Sequence, residues 1–104
     1  MNLIDTDMTK SGICTMKFPA ELSIFNVAQI KKEIQEHLPS KKMKTLKLDI
    51  SNVKEMDTAC LQLIVQVKKE CDENSIKFLF HGKNSAVMDA ISIYNMKSFF
   101  ESAG

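Results

Sequence analysis

Leu46, Leu48 and Ile50 alternate with polar neighbours, a period of two that predicts a short strand with a buried face. Asn, Lys and Glu between Ser51 and Met56 predict a turn. From Thr58 onward the period lengthens: Cys60, Ile64, Val67 and Cys71 recur at spacings of 4, 3 and 4, as on an amphipathic helix. The rest of the chain is organised around this strand, turn and helix. Upstream, residues 1–11 read as a loose first strand or a frayed tail, and Ile13 to Phe18 as a strand that Pro19 ends. Ala20-Glu21-Leu22-Ser23 is a connection. Val27, Ile30, Ile34 and Leu38 then give a helix over about 24–38, with Lys31, Lys32, Glu33, Gln35 and Glu36 on its polar face; Ser23 or Asn26 caps it and Pro39-Ser40 closes it. Downstream of the central unit, Asp72 to Ser75 is a turn and Ile76 to Phe80 a strand. A third helix spans about 85–95, with Val87, Ala90, Ile91 and Tyr94 inward, and Met96 to Phe100 is a closing apolar piece. Strands alternating with helices, without repeat or linker, predict one α/β domain over residues 1–104, a mixed sheet of four to five strands with helices packed against it.

Composition changes this picture little. A chain of 104 residues can bury its own core without disulfides or metal. The net charge is +1, and all 14 basic residues are lysine. Arginine, the usual bidentate reader of phosphate and guanine, is absent, which speaks against nucleic acid as a partner. No apolar run approaches the roughly 18 residues of a membrane span, and the N-terminus has no secretion-signal pattern. Cys14, Cys60 and Cys71 include no CxxC pair and suit reduced thiols, so the expected location is the cytoplasm. The lysines at 41, 42 and 44 read as a solvated loop.

The chemistry expected of an enzyme is not written here. His37 and His81 lie far apart, no nucleophile-elbow, zincin or phosphate-loop motif occurs, and no metal-ligand spacing exists. The expectation is no enzyme, no cofactor and no metal. Asp49 closes a strand as a phosphoaccepting aspartate would, but Asp5 and Asp7 precede any strand that could supply the companion acidic pair, so Asp49 reads as a turn residue bonding nearby amides. The remaining candidate is Thr58, where a loop hands over to a helix. Backbone N–H groups at a helix start lack intrahelical partners, and a phosphate placed there gains charge-assisted hydrogen bonds. Spacing alone favours the plainer reading, in which Thr58 or Asp57 serves only as the N-cap.

LKLDISNVKEMDTACLQLI resembles the core of STAS domains, the family of anti-sigma-factor antagonists, in which an apolar strand ends in D-[LIV]-[ST] and a D-[ST]-[SAG]-G-L follows at a helix start. PAELSIFNVAQIKKEI is similar to the family's loop and first helix, and HGKNSAVMDAISIYNMKSFF to its last helix and closing strand. The resemblance implies a non-catalytic regulatory domain that binds other proteins. It makes Thr58 the phosphorylation site of a partner kinase that doubles as anti-sigma factor, with Asp57, Thr58, Ala59 and Cys60 as partner contacts. Two departures stand out: Cys60 replaces the usual glycine, and Ala20-Glu21-Leu22-Ser23 replaces G-E-L-D. ELSIFNVAQIKKEI and DTACLQLI look closer to STAS proteins of chemotaxis clusters and to STAS subunits of lipid-transport ABC complexes. That likeness implies the alternative, a constitutive adaptor to a signalling or transporter protein in which Thr58 is a contact and cap only.

Overall fold

The computed structural model describes residues 3–38, 42–82, 87–89 and 91. Its main sheet has the strand order β1-β2-β4-β6, formed by β1 (Asp5–Met8), β2 (Ile13–Lys17), β4 (Thr45–Asp49) and β6 (Lys77–His81). The first pair is antiparallel and the other two are parallel, as helical crossovers require. Burial alternates along β4, with Leu46 and Leu48 inside and Thr45, Lys47 and Asp49 on the other face. The register turns that alternation into rows: Cys14, Leu46 and Phe78 lie side by side, as do Met16, Leu48 and Phe80. The Phe78 and Phe80 rings meet edge to face at 5.3 Å. Helices α1 (Val27–Gln35) and α2 (Thr58–Glu73) contribute Ile30, Ile34, Ile64, Val67 and Cys71 to the same core.

The expected strands and first two helices are all present, with ends shifted by a few residues. The segment before residue 12 resolves into a strand, because the Thr9–Gly12 turn folds it back on β2. Residues 87–89 and 91 are helical, while the rest of the expected third helix and the closing piece lie outside the described residues. The pattern missed β3 (Glu21–Leu22) and β5 (Glu55–Met56), which form a separate parallel pair. Two residues each are too few to carry a period. Lys68 is buried over its whole length, and its ammonium reaches Asp72 at 2.9 Å one turn on.

Glu33 overturns its expected place on the solvated face of α1, being only 3% exposed. The reason is the N-terminal segment, which crosses α1 and needs acceptors for its amides. The Leu3 and Ile4 N–H groups donate to the two Glu33 oxygens at 2.9 and 3.1 Å, and Gln29 adds a bond of 3.1 Å. Burial alone would raise the Glu33 pKa, but these hydrogen bonds outweigh it and hold the carboxyl below its usual value.

Glu33→Ala should therefore cost about 2–4 kcal/mol, because it strands buried donors, as measured by urea unfolding. A lowered folded pKa makes this contribution fully present above the unfolded value, near 4.5, and lost as pH falls through the folded value. The stability gap between wild type and Glu33→Gln should then close on acidification below pH 4.5. A gap that stays constant to the acid limit would show that the Glu33 charge contributes nothing.

Candidate functional site

The start of α2 is fixed by Asp57. Its extended backbone, at φ −100° and ψ 175°, is that of a helix N-cap, and its Oδ1 accepts from the Cys60 N–H at 3.2 Å. The Asp57 carbonyl takes the Leu61 N–H, which begins the helical ladder. Asp57 itself is delivered by the small sheet. The pairing of Glu21 with Glu55 and of Leu22 with Met56 runs on into a bond from the Asp57 N–H to the Leu22 carbonyl at 3.0 Å.

The second oxygen of Asp57 leaves its own helix. Oδ2 accepts from the Ile24 N–H at 2.7 Å, tying the 23–26 turn to the beginning of α2. That turn is also held internally. The Ser23 N–H donates to Asn26 Oδ1 at 3.0 Å, the Phe25 N–H to Ser23 Oγ at 3.2 Å, and the Asn26 amide to the Glu21 carbonyl at 2.6 Å. Asn26 occupies the N-cap position of α1 but makes no side-chain cap bond there, because its amide reaches back into the turn. The result is a held turn whose apolar residues point outward: Ile24 is 67% exposed and Phe25 is 92% exposed.

The four candidate residues are neighbours here but are not equivalent. Thr58 is exposed at the first position of α2, and Asp57 and Ala59 are half-buried beside it. Cys60 is only 2% exposed, so its side chain is not offered to a partner. The thiol that replaces the family's glycine turns inward and contacts the Ser23 carbonyl at 3.6 Å, adding a second tie between turn and helix. Burial, reinforced by the Asp57 carboxylate, pushes the Cys60 thiol up to about 12. Cys71 is pushed up to about 12 as well, mainly by burial, and Cys14 is raised for the same reason.

Elsewhere, Asp49 is a turn residue as expected. Its Oδ1 accepts from the Ser51 hydroxyl at 2.6 Å and from the Ser51 N–H at 3.0 Å, and these bonds hold its carboxyl below the usual range. Gly82, at φ +88°, lets the end of β6 approach this turn, since a Cβ there would lie 2.9 Å from Ser51 Cβ. His37 and His81 are exposed. Among the described residues no cluster of three or more His, Cys, Asp or Glu could hold a metal ion, and no helix is long and apolar enough to cross a membrane. Sequence reasoning missed Ile24 and Phe25. Phe25 offered a signal, being apolar and out of phase with the Val27, Ile30, Ile34 pattern; Ile24, three residues before Val27, keeps the helical spacing and offered none.

Two outcomes follow from this geometry. Asp57→Ala removes the α2 cap and the Ile24 acceptor together, and should cost about 1–3 kcal/mol in urea unfolding, against near neutrality for an uninvolved surface carboxylate such as Glu36. The three thiols should stay protonated and buried at pH 8, so a maleimide should label them far more slowly in the native chain than in urea. Rapid native labelling of Cys60 would contradict its place beneath the turn.

The comparisons with known proteins agree with this architecture. The STAS domain family matches residues 7–103. No curated protein matches the chain significantly. Among solved structures, TM1081 of Thermotoga maritima, described as a candidate anti-sigma factor antagonist, superposes with a TM-score of 0.80 at 21% identity, over 91% of this chain and 80% of its own. The anti-sigma factor antagonist SpoIIAA in its unphosphorylated form gives 0.75 at 14% identity, over 91% and 83%. The Bacillus cell fate determinant SpoIIAA in its phosphorylated form gives 0.70 at 12% identity, over 91% and 86%. Those likenesses establish a shared fold; with the family match over nearly the whole length, the chain belongs to the STAS domain family.

Proposed function

We propose that this STAS domain is a non-catalytic, cytoplasmic regulator that works by binding another protein through the start of α2, and that phosphorylation of Thr58 switches that binding. The observation that carries the reading is the exposure of Thr58 at the first position of α2, on a ledge whose backbone is already fixed by Asp57. A kinase can reach the hydroxyl without unfolding anything. Phosphate there adds roughly −1.5 to −2 charges beside the Asp57 carboxylate while meeting the positive end of the helix. The surface potential changes and the fold stays. The description of SpoIIAA in phosphorylated and unphosphorylated forms supports a switch of this kind on this fold. The partner is then a kinase that doubles as anti-sigma factor, and the unphosphorylated chain captures it.

A second reading is favoured by Ala20 and Ser23, which stand where the family's loop carries glycine and aspartate, and by the use of both Asp57 oxygens in holding the turn. In that reading the chain is a constitutive adaptor in chemotaxis signalling or a lipid-transport complex, and Thr58 is a contact only.

The test uses the cognate kinase with wild type and four variants. Thr58→Ala should fold normally, losing less than about 1 kcal/mol because Asp57 rather than Thr58 is the cap, and should bind the partner while resisting phosphorylation. Thr58→Glu and the phosphorylated wild type should bind at least about tenfold more weakly through added charge at the contact. Asp57→Lys should weaken binding more than reversal at Glu36. Phosphate on another residue, or a phosphorylated Thr58 that binds as tightly as before, decides for the adaptor.

A further inference from the structure

The 23–26 turn holds two large apolar side chains in water, and the hydrogen bonds around it keep them there. Beside the turn, the first turns of α1 and α2 enclose an open groove of ≈ 290 Å³. Val27, Ala28, Ala59 and Leu63 supply its apolar part, and Lys31 and Gln62 supply polar rim. Phe25 does not fold back into this groove, since it is 92% exposed.

We propose that a second copy of this chain fills it: Phe25 of each copy enters the groove of the other. The turn runs directly into Val27 and Ala28 of the groove wall, and a single two-fold axis then satisfies both contacts at once, the self-complementary arrangement of an isologous dimer. Charge fits the same pairing. Lys31 is the one charged residue among those lining the groove, while Glu21 and Asp57 flank the protruding turn. Across the axis, Glu21 of one copy faces Lys31 of the other. The groove volume lies near the lower end of the range for small-ligand pockets, enough for an aromatic ring. With one ring on each side the interface is small, and the dimer is a weak, exchanging one. Its consequence is regulatory: Ala59 is covered, one residue from Thr58, so self-association hides the start of α2 from any other protein. The pairing needs no phosphate on Thr58 and stands whether or not the switch does.

Sedimentation velocity of the full chain from about 5 to about 500 µM, a span suited to a small interface, tests it. Wild type should pass from monomer to dimer across this range. Phe25→Ser, which removes the inserted ring, and Ala28→Trp, which fills the groove, should each weaken association at least about tenfold with unchanged circular dichroism. A mixture of the two variants should dimerise better than either alone, because each retains the element the other lacks. Lys31→Glu should weaken association, and adding Glu21→Lys should restore it. A wild type that stays monomeric throughout overturns the proposal and leaves the turn for a different protein. A dimer that persists unchanged in Phe25→Ser overturns it too, and that residue is exposed enough for its replacement to leave the core intact.

Discussion

The Asp57 carboxylate is divided between two backbone donors that the chain order keeps far apart, the Cys60 N–H of its own helix and the Ile24 N–H of the turn before α1. Each bond alone is ordinary. Together they make the end of one connection and the start of the next helix a single surface. The buried Cys60 thiol against the Ser23 carbonyl closes the same seam from below. Without this seam, Thr58 would sit on an isolated helix end and the Ile24–Phe25 turn would be one more exposed loop.

The sheet fixes where the seam lies. The parallel run β2, β4 and β6 sends β4 into the connection that ends at Asp57, and the β3–β5 pair joins that connection to the one before α1. Facing Glu21 with Glu55 puts like charges side by side, which opposes the pairing. The buried Leu22 and the Asp57–Leu22 backbone bond offset that cost. At the far end of α1, Glu33 fixes the N-terminal segment by the same device, one carboxylate accepting from two backbone amides.

Much of this was legible beforehand, for identifiable reasons. The alternation at Leu46 and Leu48 and the spacing of Cys60, Ile64, Val67 and Cys71 are strong periodic signals, and they predicted β4 and α2 within two residues. Asp57 as a possible cap followed from its place before a helical pattern. What could not be read is what depends on another part of the chain. Glu33 looks like any charge on a helix's wet face until Leu3 and Ile4 arrive over it. Cys60 falls on the apolar side of α2 by its spacing, but that its thiol lies under the Ser23 carbonyl can be read only once the turn is placed against the helix. The second oxygen of Asp57 has no local signature, because its donor belongs to a turn in another segment.

The unity of this surface is the claim on which the functional reading rests, and native-state amide hydrogen exchange measures it directly. If Asp57 joins turn and helix, the Ile24 and Cys60 amides open together, and both exchange with the same protection well above that of an unbonded loop amide. If Ile24 instead exchanges at the rate of a free loop while Cys60 stays protected, the turn moves independently of α2 and the account is wrong.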